Sequence, residues 1–350
     1  MILLDYTLEE LQELACMHNQ PRYRGEQLYR GLLQGLHVGE IRTLPKAWQT
    51  QLLESCDADQ GVEIIDTKIS SRDGTHKFLY RLYDDNLIEG VWMPHDYGNT
   101  LCVSTQVGCR MNCAFCASGL DGLVRNLSAG EILGQIVAVN RMLREKSLPP
   151  TDHVVLMGSG EPLDNYDAVT RFLRLVSAPE GLNLSRRNVS LSTCGLVDKI
   201  RMLADEGYTP TLTVSLHASN DEARRKIMPI ARKYSIAQLL DACKYYFRVT
   251  GRRVIFEYTV IAGVNDAPVH AQELAKLLKG FACHVNLIGL NDVKERNLRG
   301  VHAAALRAFS ERLQSLGVHC SIRRSMGNDI AGACGQLRRS HLAEANNKQE

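Results

Sequence analysis

An α/β fold built on a parallel sheet is what this sequence predicts, and three observations carry that expectation. Beyond residue 100, short apolar runs alternate with amphipathic stretches of helical length, the pattern of βα units. Before residue 100 the pattern differs: the first 60 residues carry helical periodicity, and residues 61–95 alternate in the two-residue rhythm of strands. At 350 residues and 45% hydrophobic content, the chain can bury one large core plus a small accessory domain.

The elements follow in order. Thr7 and Glu10 can close a capping box that starts a helix reaching about residue 18. Tyr23 to Leu33 repeats apolar residues at helical spacing, and Pro45 can open a third helix through Trp48 and Leu52. Val62–Ser70 and His76–Tyr83 read as a hairpin around Ser71-Arg72-Asp73-Gly74, with a further strand over Leu87–Met93. Strands are then expected at 101–106, 152–157, 188–192, 211–216, 253–260, 283–288 and 318–323. Helices at about 128–144, 165–176, 196–204, 221–227, 235–248, 270–279 and 301–315 separate them. There is no internal repeat or low-complexity stretch, and residues 341–350 read as a flexible tail.

Composition narrows the class. With 41 basic against 39 acidic residues the formal charge is +2, too balanced to identify a nucleic-acid partner, so any RNA contact must come from local patches. The opening MILLDYTLEELQEL carries acids and lacks the apolar core of an export signal. No stretch approaches the roughly 20 apolar residues that span a bilayer. Eleven cysteines in a chain this long do not suggest a disulfide scaffold, and a reducing cytoplasm suits them.

Three of those cysteines carry the strongest signal. The run GCRMNCAFCASG sets Cys109, Cys113 and Cys116 at CxxxCxxC spacing with no fourth nearby. Three thiolates leave one iron of a 4Fe–4S cube open to a substrate. A structural zinc site would want four ligands, often as two CxxC pairs, and only one CxxC exists here. Redox or buried structural thiols are the remaining alternatives. The run resembles the signature of radical S-adenosylmethionine (SAM) enzymes, in which the amine and carboxylate of SAM fill the open iron position. That resemblance implies a partial (β/α)6 barrel, an incomplete relative of the closed TIM-type barrel, with its chemistry at the C-terminal strand ends. Seven candidate strands exceed six, so 101–106 can be read as a lead-in.

Other residues are ambiguous when taken singly. Gly158-Ser159-Gly160-Glu161-Pro162 follows the apolar run DHVVLM; its glycines allow close backbone approach, and Glu161 can accept from an ammonium group, although an ordinary strand-to-helix turn would look similar. Ser192 ends NVSLS, and Ser215-Leu216-His217 ends TLTVSLH, placing hydroxyls and an imidazole where a nucleoside could be held. His217 could equally be a satisfied structural histidine. Asn291 offers a donor and an acceptor together, whereas Asn286 reads as structural. Cys102 precedes the cluster run by seven residues, and Cys334 sits in the Gly-rich NDIAGACGQLRR. Both could simply be buried, and Glu89 in LIEGVWMP could face a cavity or water.

The resemblance sharpens when separated segments are taken together. HDYGNTLCVSTQVGCRMNCAFCASGLDGLVRNLSAGEI, GSGEPLDNYDAV, LSTCGL, VSLH, KIMPI, FEYTVIAGVND, HVNLI, KERN and IRRSMGNDIAGACGQL resemble the dual-specificity 23S rRNA and tRNA adenine C2-methyltransferase family over residues 1–340. Membership would make Cys109, Cys113 and Cys116 the cluster ligands and Gly160, Glu161, Ser192, Ser215, Leu216, His217 and Asn291 the SAM contacts. It would make Cys334 the methyl-carrying cysteine, Cys102 the resolving cysteine and Glu89 the acid–base residue. Ser159 departs from the family, which more commonly has methionine there. The implied division is a helical RNA-recognition domain at 1–60, a β extension at 61–95 and the barrel at 96–340.

The chemistry that the resemblance implies uses two SAM molecules per turnover. One methylates Cys334; cleavage of the second gives a radical that takes hydrogen from the S-methyl group, and the resulting methylene radical adds to adenine C2. The adduct loses an electron, Glu89 takes the C2 proton, and Cys102 attacks the Cys334 sulfur to free the product as a disulfide forms, which an external reductant resets. The implied partners are 23S rRNA at adenosine 2503, tRNA at adenosine 37, and an electron donor such as flavodoxin or ferredoxin, with a monomer sufficing. Two alternatives remain open: the antibiotic-resistance type that methylates adenine C8, against which Pro162 speaks, and a non-catalytic iron–sulfur RNA-binding module. Arg22, Arg24, Arg30, Lys46, Arg186-Arg187, Arg252-Arg253, Lys294, Arg296 and Arg323-Arg324 could position phosphates or be ordinary surface charge.

Overall fold

The structure, a computed structural model, describes residues 2–290 and 295–330. Three helices open the chain: α1 (Leu8–Met17), α2 (Arg22–Leu33) and α3 (Lys46–Ser55). Thr7 and Glu10 form the expected capping box, Oγ1 of Thr7 accepting from the Glu10 N–H at 3.2 Å and the Glu10 carboxylate accepting from the Thr7 N–H at 2.8 Å. Pro45 stands at the N-cap of α3. Strands β1 (Val62–Ile69), β2 (His76–Leu82) and β3 (Leu87–Met93) follow as an antiparallel meander.

The meander continues straight into the barrel sheet. β4 (Thr100–Cys102) pairs antiparallel with β3 on one side and parallel with β7 (His153–Leu156) on the other. Between them lie β5 (Gln106–Gly108), β6 (Leu123–Asn126) and α4 (Ala129–Glu145). The remaining elements alternate: α5 (Tyr166–Ser177), β8 (Val189–Thr193), α6 (Val197–Asp205), β9 (Thr211–Ser215), α7 (Asp221–Ile227), α8 (Ile236–Thr250), β10 (Val254–Val260), α9 (Pro268–Leu278), β11 (Cys283–Gly289), α10 (Ala303–Ser315) and β12 (Cys320–Ile322). The ten-stranded sheet runs β1-β2-β3-β4-β7-β8-β9-β10-β11-β12, and every neighbouring pair from β4 to β12 is parallel. Six strand–helix units, starting at β4, β7, β8, β9, β10 and β11, make the (β/α)6 arrangement expected of a partial barrel.

Two details differ from the sequence reading. The surplus strand is the last one, β12, and not the first, because β4 is hydrogen-bonded on both edges whereas β12 pairs only with β11 among the described residues. The strand expected over 101–106 ends at Cys102, and the chain then enters a separate two-stranded antiparallel sheet, β5 with β6. Strands of three and four residues are too short to register as a periodic signal.

One large buried cluster joins Leu3, Leu11, Leu28 and Trp48 of the N-terminal helices to Leu191, Val214 and Phe256 of the barrel strands. The N-terminal helices are thus packed on the barrel: Asp5 Oδ1 accepts from the Gly130 N–H at 2.6 Å, and the Asp5 carbonyl accepts from Arg171 Nε at 2.7 Å. Among the described residues, no helix is long and apolar enough to cross a membrane.

Candidate active site

The β5/β6 pair forms the base of the cysteine loop. Cys109 donates its N–H to the Gly122 carbonyl at 2.8 Å. Gly108, at φ 77°, lets the two sides close, since a Cβ there would lie 2.0 Å from that same carbonyl oxygen. At its tip the loop is tied to α7, the Ala114 N–H donating to the Ile227 carbonyl at 2.8 Å, and Arg296 donates to Asn112 Oδ1 at 2.7 Å. Asn112 takes φ 46°, a left-handed conformation that asparagine tolerates better than most residues.

The loop covers a cavity of about 230 Å³ at the C-terminal ends of the barrel strands. Its lining brings together Cys109, Cys113, Cys116, Gly160, Glu161, Ser192, Ser215 and His217, with Phe115, Glu257, Thr259 and Arg323. Leu216 is fully buried and does not line the cavity; its backbone bonds to Glu257 and Arg224 instead. Asn291 and Cys334 lie outside the described residues.

Among the described residues, no three His, Cys, Asp or Glu side chains converge on a point suited to a single metal ion. A four-iron cube makes a different demand, because its three cysteines ligate three separate irons and their sulfurs need not meet at one point. The donor chemistry fits such a group: all three ligands are sulfur, and burial raises the Cys109 thiol to about 12 and the Cys113 thiol higher still. Burial alone disfavours the thiolates, and a bound cation such as cluster iron displaces their protons and stabilises them.

Glu161 is held from three directions. Its N–H donates to Gln106 Oε1 at 2.8 Å, while its carboxylate oxygens accept from the N–H groups of Leu163 at 3.0 Å and Cys194 at 2.7 Å. Burial raises its pKa, and these hydrogen bonds pull it back. Gly160 makes the approach possible: at φ 111°, its missing Cβ would stand 2.7 Å from Gln106 and Thr105 atoms. Ser159 links the two loops, its N–H donating to Ser104 Oγ at 2.9 Å and its hydroxyl to the Gly108 carbonyl at 3.3 Å.

His217 is fixed as a neutral ring. Its Nδ1 accepts from the Thr259 N–H at 3.0 Å, which leaves the proton on Nε2. Burial, with the nearby positive charge of Arg224, lowers its pKa to about 3. Phe115 of the cysteine loop meets the imidazole edge-on, with 4.7 Å between ring centroids. The residue takes φ 53°, in the left-handed region that histidine, like asparagine, visits more readily than most non-glycine residues. Asn265 holds the turn in place, donating to the carbonyls of His217 at 2.8 Å and Thr259 at 2.7 Å and accepting from the Ile261 N–H at 2.6 Å.

Arg224, on α7, is fully buried beneath these strand ends. It donates to the carbonyls of Cys194 at 2.7 Å, Ser215 at 3.2 Å and Leu216 at 3.2 Å. The sequence pattern singles out neither Arg224 nor Asn265. An arginine in DEARRKI looks like an exposed helix charge, and the local hint for Asn265 is no more than its place close after the β10 run.

Glu89 and Cys102 sit apart from the cavity lining, on adjacent buried strands. Val91 pairs with Cys102, and the Ser104 hydroxyl donates to the Glu89 carbonyl at 2.8 Å. The Glu89 carboxylate lies 3.0 Å from the ammonium of Lys77, a pair almost wholly shielded from water. Lys77 is another residue that the sequence does not mark, since a lysine in a strand is ordinarily read as facing solvent.

Comparison with known proteins identifies the family. Residues 103–275 match the radical SAM superfamily. The fold, the three-cysteine loop and that match define a radical SAM enzyme, which implies a 4Fe–4S cluster and SAM as cofactors. The chain is 48% identical over 343 residues to the probable dual-specificity RNA methyltransferase RlmN of Clostridium perfringens, covering 97% of each, and 44% identical to that of Clostridium novyi, covering 97% of this chain and 98% of the other. A crystal structure of a radical SAM methyltransferase from Sphaerobacter thermophilus superposes with a TM-score of 0.91 at 40% identity, over 96% of this chain and 98% of that one. The chain belongs to the RlmN family of dual-specificity RNA methyltransferases and is a SAM-dependent radical methyltransferase acting on RNA.

Proposed function

We propose that this enzyme adds a methyl group to C2 of adenosine 2503 in 23S rRNA and of adenosine 37 in tRNA. The observation that supports the reading is the cavity at the strand ends, where the cysteine loop meets the Gly160-Glu161 turn, Ser192, Ser215 and His217. Cys109, Cys113 and Cys116 hold the cluster; Gly160, Glu161, Ser192, the Ser215-Leu216-His217 turn and Asn291 hold SAM. When bound, these cofactors supply the methyl group and the one-electron chemistry that activates it.

The chain's own task is to carry and release. Cys334 carries the methyl group as S-methylcysteine and joins covalently to the base, Glu89 takes the C2 proton beside Lys77, and Cys102 frees the product by attacking the Cys334 sulfur. The helical segment 1–60 is the RNA-recognition domain, with 61–95 linking it to the barrel. A small redox protein such as flavodoxin or ferredoxin delivers electrons, and one chain completes the site.

The test is an anaerobic assay with reductant, SAM and rRNA or tRNA, read by mass spectrometry against nucleoside standards. It should yield 2-methyladenosine. Product found only as 8-methyladenosine would replace C2 by C8, and an intact cluster without any methyladenosine would favour a binding module. Cys102→Ala should accumulate RNA covalently attached to protein, whereas Cys334→Ala should bind cluster and SAM without forming product. Normal turnover in either variant would remove that residue from the scheme.

A further inference from the structure

One polar group in the cavity has no counterpart among the roles assigned so far. Glu257, on β10, has its side chain only 4% exposed and lines the cavity. Asn286 donates to its Oε1 at 3.2 Å, whereas its Oε2 has no hydrogen-bond partner among the described residues. Arg323 approaches Oε2 to 3.7 Å, close enough to balance the charge but too far to donate a hydrogen bond. Register sets the direction of this carboxylate. Glu257 pairs with Ser215 on one side and Asn286 on the other, and Asn286 pairs with Ser321, so these side chains form one inward-facing layer. Its own carbonyl accepts the N–H groups of Leu216 at 3.1 Å and His217 at 3.2 Å, tying the residue to the turn that closes the cavity.

A buried carboxylate oxygen facing a cavity without a donor is costly, and an ionised carboxylate can only accept. A ligand hydroxyl or amine would supply that donor. SAM presents three kinds of donor: the methionyl ammonium, the ribose hydroxyls and the adenine amine. In the reading above, on which this inference rests, the methionyl end lies at the cysteine loop beside Glu161. Glu257 stands three strands further round the sheet, from β7 to β10, roughly 14 Å along the arc at about 4.8 Å per strand. That distance places it against the nucleoside half, where a carboxylate accepting from ribose hydroxyls is a recurring solution in nucleotide sites. We propose that Glu257 is a SAM-binding residue whose Oε2 accepts from the ribose hydroxyls, with Asn286 and Arg323 fixing the carboxylate.

The experiment measures equilibrium binding to the cluster-loaded enzyme, anaerobically and without reductant so that no turnover occurs. SAM is compared with its 2′-deoxy and 3′-deoxy analogues on the wild-type protein, Glu257→Gln and Glu257→Asp, with iron content checked in each. Wild type should bind at least one deoxy analogue about 10- to 100-fold more weakly than SAM. Both variants should weaken SAM by a similar factor, keep their iron, and lose the discrimination between SAM and that analogue. Wild type binding SAM and both analogues equally would overturn the proposal, whether or not the variants fold. Variants that bind SAM within twofold of wild type, or that discriminate as wild type does, would also overturn it. Failure of the wild type to bind SAM at all would instead sink the cofactor reading of the cavity, and the proposal with it.

Discussion

Two concave surfaces of the molecule contrast in their construction. The cavity at the strand ends encloses about 230 Å³ and is walled by Glu161, His217 and Glu257, with Arg224 buried behind them. The groove beside α2 is larger, about 820 Å³, and is lined by Arg30, Gln34, Glu40, Arg42 and Lys46, all exposed to solvent. In the smaller space, polar atoms are held by backbone groups from separate strands, so their positions are set by the sheet. In the larger one, charges stay hydrated and some pair across the surface, as Arg30 does with Glu26 at 2.5 Å. Size therefore does not mark the chemistry. A small cofactor needs desolvated groups in fixed positions, whereas a nucleic-acid backbone needs accessible charge that can adjust.

The contrast can be tested at both ends. The largest effect should come from the cysteine loop: Cys113→Ser should lower bound iron sharply and reduce methylation by more than about 100-fold, read by iron analysis and product assay, while RNA binding persists. An iron content equal to wild type would break the assignment of this loop.

Arg224→Leu tests whether the cavity's frame depends on buried polar bonds. It orphans three strand-end carbonyls while removing one buried charge, and the net cost should be about 2–4 kcal/mol in chemical denaturation of the cluster-free protein. A stability equal to wild type would mean that the helix packing alone supports the site.

His217 sets a pH dependence whose sign can be worked out. The ordinary pKa of 6.5 applies to the unfolded chain and about 3 to the folded one, so below 6.5 the unfolded state binds the extra proton. Its contribution is steady above pH 6.5 and turns against the folded state as pH falls toward 3. His217→Asn should flatten the loss of stability between pH 6.5 and 4 by up to about 1.4 kcal/mol per pH unit. Parallel profiles for the two proteins would show that the ring protonates without unfolding its surroundings.

The smallest effect belongs to the groove. Reversing two charges, Arg30→Glu with Arg42→Glu, should weaken RNA binding several-fold and lower the salt-dependence slope by about one for each phosphate no longer neutralised, with SAM affinity unchanged. RNA affinity and slope both equal to wild type would place the RNA path elsewhere.

What the sequence determined by itself was local. Apolar periodicity located the helices and barrel strands to within a few residues, Thr7 and Glu10 announced a capping box, and the CxxxCxxC spacing marked the loop whose three cysteines line the cavity. These features are written in neighbouring residues, and neighbouring residues are all that a single sequence displays directly. Tertiary structure alone decided which charged side chains turn inward. Arg224, Glu257 and Lys77 carry ionic groups that ordinarily favour water, and nothing within a few positions of each predicts otherwise. Their burial is compensated by partners far along the chain or on other strands: Cys194 for Arg224, Asn286 for Glu257 and Glu89 for Lys77. The free energy of an internal charge depends on atoms that only the folded sheet brings within hydrogen-bonding reach, and so its place could not be read before the fold was known.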